Sequence, residues 1–189
     1  MLHPEKWISI LAKFDRWNER HIMNLFSLFG TPSDYLDAGC GTGAMVNLAR
    51  RLGVDAWGID LIPRPERHFV VTDLRHPFGL GRQFRLVTSI EVGEHIPGSF
   101  DANYADTVAK HVADGGLLIF TSAHPGQGGD EHINDRPASY WRGMFHDRGL
   151  TYQPQLSIKL ALAWSLIGSP MYWLPANVQV FSLGSAEAA

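Results

Sequence analysis

At 189 residues and 45% apolar content, the chain is long enough to close one hydrophobic core and short of what several domains need. Charged residues make up only 19%, the formal net charge is -3 and no basic block is present, which argues against a nucleic-acid backbone as partner. The single cysteine, Cys40, excludes an internal disulfide and any multi-thiol zinc site, and fits a reducing, cytoplasmic setting.

Residues 4–29 carry Trp7, Ile10, Leu11, Phe14, Trp17, His21, Leu25 and Phe26 at near-helical spacing, with Pro4 at a first-turn position and Gly30-Thr31-Pro32 as a stop. This predicts an N-terminal helical extension over 1–30. Its basic residues are interleaved with acids, so it does not read as a signal peptide. From residue 31 the pattern alternates. Strands are expected at 34–38, 54–59, 68–72, 84–90, 116–122 and 178–183, and helices at 43–52, 99–113 and 138–148. Gly115-Gly116 and Arg148-Gly149 read as helix stops. Such alternation implies an α/β domain over 31–184 with a doubly wound, mostly parallel sheet. Residues 156–173 are the most apolar stretch, but Lys159, Gly168 and Pro170 interrupt it before the about 18 to 20 residues a membrane span requires. It reads as a helix buried on the sheet edge, with a greasy lid or dimer surface as the other account.

The richest segment is Tyr35-Leu36-Asp37-Ala38-Gly39-Cys40-Gly41-Thr42-Gly43-Ala44, a strand passing into a helix through three alternate glycines. Such a turn brings backbone close to a ligand and aims free N–H groups at it. Alone, Gly39-x-Gly41-x-x-Ala44 also satisfies the relaxed dinucleotide fingerprint, which keeps an NAD(P)-dependent oxidoreductase open. Charge discriminates between the two. Asp37, Asp60, Asp73 and Glu91 fall at or after the ends of the first four strands, where an open α/β sheet binds its ligand. Four carboxylates there oppose a pyrophosphate and suit a cationic ligand with a ribose and a free amine.

These motifs, with Trp57-Gly58-Ile59-Asp60-Leu61, Thr72-Asp73-Leu74, Ile90-Glu91-Val92-Gly93-Glu94-His95-Ile96 and Gly115-Gly116-Leu117-Leu118-Ile119, make residues 35–150 resemble the class I S-adenosylmethionine-dependent methyltransferases. The resemblance implies a Rossmann-like sheet of seven strands, the last antiparallel, and S-adenosyl-L-methionine as cofactor. It further implies that Asp37 and the Gly39, Cys40, Gly41 and Gly43 backbone hold the methionine part. Asp60, followed by Leu61, would take the ribose hydroxyls, Asp73 and the Leu74 N–H the adenine, and Glu91 to His95 would line the floor beneath the methyl. A catalytically inactive module that binds the same cofactor remains an alternative.

Methyl transfer to a hydroxyl needs alignment and a base. His124 and His132, in the glycine-rich segment 124–136, are the leading candidates because imidazole titrates near neutrality, with Glu94 and His95 as a second pair. The segment itself reads as a mobile acceptor-binding loop, with Asn134, Tyr140 and Trp141 either orienting an acceptor or packing into the core. His124, Asp130, Glu131, His132 and Asp135 offer imidazole and carboxylate ligands, but without the fixed spacing of a helical metal site; no metal is expected. Neither an Asn-Pro-Pro-Tyr nor an Asp-Pro-Pro-Tyr motif is present, so the expected acceptor is a small molecule, with a sugar or natural-product hydroxyl in first place, and not a nucleic-acid base. The oligomeric state is left open.

Overall fold

The computed structural model describes residues 4–184. Its centre is a seven-stranded sheet built from β1 (Asp34–Ala38), β2 (Asp55–Asp60), β3 (Phe69–Val71), β4 (Phe84–Ile90), β5 (Val112–Thr121), β6 (Leu150–Tyr152) and β7 (Gln179–Leu183). The spatial order is β3-β2-β1-β4-β5-β7-β6. All pairings are parallel from β3 to β5, and β7 runs antiparallel to both β5 and β6. This is the expected Rossmann-like arrangement, with its topological switch between β1 and β4.

Seven helices flank the sheet: α1 (Pro4–Leu11), α2 (Asp15–Phe29), α3 (Ala44–Arg51), α4 (Asp101–Lys110), α5 (Ala138–His146), α6 (Pro154–Ser165) and α7 (Leu174–Asn177). Alternation along β1 sorts the core into two layers. Tyr35 points into a cluster with Ile22, Leu25 and Phe26 of α2, Val46 of α3, and Leu160 and Trp164 of α6. Leu36 and Ala38 point the other way, to Tyr104 and Val108 of α4 and Trp141 and Phe145 of α5. Residues 4–29 of the expected N-terminal extension are helical and α2 is part of the first layer, while residues 1–3 lie outside the described residues.

Three local expectations fail. The helix expected over 99–113 is shorter, because β5 already begins at Val112. Gly115-Gly116 is therefore not a helix stop. Phe84 pairs with Val112 but Leu86 with Leu117, so residues 113–116 bulge out of the ladder, and Gly115 supplies the φ of +69° that the bulge needs. The third miss is β6, which at three residues is too short to show a period.

Helix α6 packs on the face of the sheet against α2 and the penultimate strand β7, in place of the sheet edge expected of it, and buries one face only. Leu160 and Trp164 are inside, whereas Ile158, Leu162 and Leu166 form an exposed stripe one turn apart. Among the described residues no helix is long and apolar enough to cross a membrane.

Candidate active site

Because β3, β2, β1 and β4 are consecutive parallel neighbours, Asp73, Asp60, Asp37 and Glu91 line one continuous carboxyl edge. The glycine turn leaves β1 at its centre. Gly39 has a φ of +86°, and a Cβ there would run into the Val92 side chain, so the turn and the segment after β4 meet through a position only glycine fills. Gly39 and Cys40 donate their backbone N–H groups to the Ile59 carbonyl at 2.8 and 3.2 Å, and the Gly41 N–H goes to the Asp60 carboxylate at 2.8 Å. The Cys40 thiol is buried against Gly58, and burial pushes its pKa well above the ordinary range. A buried thiol with a raised pKa is poorly suited to act as a nucleophile.

Asp60 is fixed by the Gly41 and Ile62 amides, while burial raises its pKa against the relief these amides and the Arg64 cation provide. Arg64 donates to the Gly41 carbonyl from the outside of the turn. Leu61 is exposed beside it. Asp37 lies deeper. The Tyr35 hydroxyl stands 2.7 Å from Thr88 Oγ1, which donates to Asp37 at 2.6 Å. Burial pushes the Asp37 carboxyl up to about 7, and the Asp60 charge pushes the same way against the Thr88 hydrogen bond. Asp73 differs in kind. Arg75 clamps it through three contacts of 2.6 to 2.9 Å, which holds its pKa below the ordinary value, and Leu74 turns its side chain into the core.

The N-terminal helices close over this edge. Leu11 faces Gly41 where a Cβ would stand, 3.0 Å away, and Thr42 donates its hydroxyl to Asp15. Trp7 meets His95 edge-on at 5.4 Å.

Next to the acids, the structure gathers Glu94, His95 and His132, whose ligand-capable atoms lie within 4.8 Å of one another. Glu94 has 0% exposure, and neither carboxylate oxygen makes a well-formed hydrogen bond among the described residues. Burial raises its pKa far above the ordinary value, and the Glu91 charge adds to that. The His95 Nδ1 sits 3.1 Å from the Glu131 carbonyl, to which a ring N–H can donate, and burial lowers the pKa of the imidazole. The His132 ring is 5.1 Å from that of His95, and its Nδ1 is 3.2 Å from Asp135. Two non-glycine residues have positive φ among those described, Glu91 at 53° and Glu131 at 57°, and both border this cluster. Such backbone costs on the order of 1 to 3 kcal/mol and concentrates at functional sites.

His124 does not join the group. It stays in the outer half of the 124–136 segment, with its N–H 3.4 Å from Gln127 Oε1. That segment is also less free than its glycines suggest. The Ile133 and Asn134 amides both donate to the Glu94 carbonyl, at 3.0 and 3.1 Å, and the Asn134 side chain donates to Asp101 at 2.7 Å. Tyr140 donates to the same Asp101 at 2.6 Å, and Trp141 packs between Tyr104, Phe120 and Phe145, so these two take the core-packing alternative. Sequence reasoning missed Asn177. From α7 it donates to Glu91 at 3.2 Å and to Gln127 at 3.0 Å, and no local pattern at 174–177 announces it.

A family model described as a methyltransferase domain matches residues 12–163. The chain belongs to that family. It is the class I family that the motifs resemble, whose methyl donor is S-adenosylmethionine. Similar solved structures include DesVI of Streptomyces venezuelae, at 15% identity and a TM-score of 0.67 over 97% of this chain and 100% of that one. The sugar N-methyltransferase KedS8 of Streptoalloteichus matches at 17% identity, with a TM-score of 0.62, over 90% and 87% of the two chains. These two likenesses show the fold. The N-methyltransferase NodS of Bradyrhizobium japonicum, solved with S-adenosyl-L-homocysteine, is 25% identical over 71% of this chain and 75% of that chain, at a TM-score of 0.56. Against curated proteins the methyltransferase has no sequence match.

Proposed function

We propose that this methyltransferase transfers the methyl of S-adenosylmethionine to a hydroxyl on a small molecule such as a sugar or natural product. The observation that carries the reading is the cluster of buried Glu94 and half-buried His95 and His132 beside the acid-lined edge, since a hydroxyl must lose its proton to a base as it attacks, whereas a neutral amine attacks without one. The sheet edge itself fits the cofactor. A buried carboxyl, Asp37, and a half-buried one, Asp60, flank a glycine turn, which favours a ligand carrying positive charge and disfavours the pyrophosphate of NAD(P).

In this reading Asp37 and the Gly39 to Gly43 backbone, Cys40 included, hold the methionine part. Asp60 and Leu61 receive the ribose, and Asp73 and Leu74 border the adenine, with Arg75 already sharing the Asp73 carboxylate. The bound cofactor supplies an already activated methyl group. The protein aligns the acceptor and takes charge of its proton. Trp7 and Leu11 help exclude water from the edge they cover. Glu91, held by Asn177 in a left-handed backbone, forms the floor between the glycine turn and the cluster. KedS8, a sugar N-methyltransferase, and NodS, an N-methyltransferase, make an amine the competing acceptor.

The test is a panel of matched hydroxyl and amino sugars incubated with labelled S-adenosylmethionine, with products read by mass spectrometry. A mass gain of one methyl on oxygen supports the proposal. Methylation confined to amines refutes the hydroxyl. Binding of S-adenosylhomocysteine without turnover of any acceptor would indicate the inactive-module alternative, and calorimetric binding of NADH in its place would indicate the oxidoreductase.

A further inference from the structure

We infer that Glu94, His95 and His132 form a binding site for a divalent first-row transition-metal ion, with three protein ligands and open positions facing the acceptor. The ion itself does not depend on the hydroxyl reading; its part in catalysis rests on that reading.

The first ground is geometric. One carboxylate and two imidazoles offer ligand atoms within 4.8 Å of one another. A common ion about 2.0 to 2.2 Å from each ligand sets three such atoms about 3.0 to 3.6 Å apart, so closing the set takes side-chain shifts on the order of an ångström.

The second ground is an unmet need. Glu94 is fully buried, with both oxygens short of a well-formed hydrogen bond among the described residues, and only the Ser122 hydroxyl and the Ala123 amide give it looser relief. Buried polar atoms in folded proteins are nearly always satisfied, and a buried carboxyl without a well-formed partner or an ion is unfavourable. A cation answers the Glu94 oxygens and an imidazole lone pair at once.

The third ground is the support behind the imidazoles. The Glu131 carbonyl lies 3.1 Å from the His95 Nδ1, and Asp135 lies 3.2 Å from His132. A metal-binding histidine is characteristically oriented by an oxygen on its ring in this way. The main chain adds its own brace, because the Ile133 and Asn134 amides on either side of the His132 region both bind the Glu94 carbonyl. Two imidazoles and one carboxylate suit Zn²⁺, Mn²⁺, Fe²⁺ or Co²⁺ better than Ca²⁺ or Mg²⁺, which prefer oxygen alone. None of the acidic loop residues 130, 131 and 135 is among the three ligands, so the site differs from the loop cluster whose residue types were weighed, and set aside, on the sequence.

The test uses the full-length protein stripped with chelator and titrated with Co²⁺ by calorimetry and visible absorption. The expected result is one ion per chain, with affinity reduced tenfold or more in each of Glu94→Gln, His95→Ala and His132→Ala. His146→Ala, on an exposed surface of α5, should bind as the parent does. Thermal melts guard against misfolding: Glu94→Gln should melt no lower than the metal-free parent, and Co²⁺ should raise the melting temperature of the parent only. Absence of stoichiometric binding by the parent, or binding that survives all three substitutions, overturns the site and returns the cluster to a purely general-base role. Titration of the same samples with S-adenosylhomocysteine keeps the two readings apart, since cofactor binding without Co²⁺ binding refutes the metal site and leaves the methyltransferase reading standing.

Discussion

The Asp60 carboxylate accepts the Gly41 N–H at 2.8 Å, so the end of β2 and the glycine turn after β1 are tied together by one of the acids assigned to the cofactor. Asp60→Ala removes that tie and the proposed ribose contact. The variant should bind S-adenosylhomocysteine about 1.5 to 3 kcal/mol more weakly, the range for hydrogen bonds to a charged group. Calorimetry checks this, and unchanged affinity refutes the ribose assignment.

Asp37 makes ligand-free stability depend on pH. Its folded carboxyl is raised from 3.8 to about 7, so the folded state holds a proton that the unfolded chain releases. The contribution is fully present below pH 3.8 and is lost as pH rises toward and through about 7, amounting to at most about 4 kcal/mol. Asp37→Asn should flatten this dependence and melt above the parent at pH 8. It should also abolish a rise in S-adenosylmethionine affinity that the parent shows as the carboxylate ionises across the same range. Melting curves and calorimetry from pH 5 to 8.5 decide both.

His21 works in the opposite direction. It is buried in α2 edge-on to Trp164, with its Nδ1 2.7 Å from the Trp17 carbonyl, and burial lowers its pKa from 6.5 to about 4. Its stabilising effect is present above pH 6.5 and is lost as pH falls toward 4, up to about 3 kcal/mol. His21→Phe keeps the aromatic contact and should resist acid better in this window, as urea titrations at pH 7 and pH 4.5 would show. An equal acid loss in parent and variant would contradict the assignment.

The 124–136 segment divides into a loose outer half and a pinned inner half. Limited proteolysis of the ligand-free protein should cut first between 125 and 130, where the residues are exposed, and not at 133–134, whose amides are bound to Glu94. Hydrogen exchange at 125–130 as slow as in β4 would contradict this.

Catalysis should separate the two loop histidines. With an acceptor in hand, His132→Asn should lower kcat by roughly 10² to 10⁴, while His124→Asn stays within about threefold, because only His132 reaches the buried cluster. The reverse order would place the reacting group in the outer loop.

Much of this molecule is local and therefore legible in the sequence. The alternation of strands and helices, the glycine turn and the acids at successive strand ends follow from short-range periodicity, and parallel strand order carries Asp37, Asp60, Asp73 and Glu91 to one edge without further information. The bulge at 113–116 was hidden because a glycine pair signals a turn without saying whether a helix or a strand contains it. Tertiary structure alone decided what two of those carboxyls meet: Asp37 the Thr88 hydroxyl from 51 residues away and Glu91 the Asn177 amide from 86 residues away. It also chose among the histidines. His124 and His132 are equivalent by residue type and loop composition, but the amides of Ile133 and Asn134 fold the inner half of the loop onto the Glu94 carbonyl and carry His132 in with them. Pairing across such a distance depends on backbone direction and burial, which no local pattern of residues encodes.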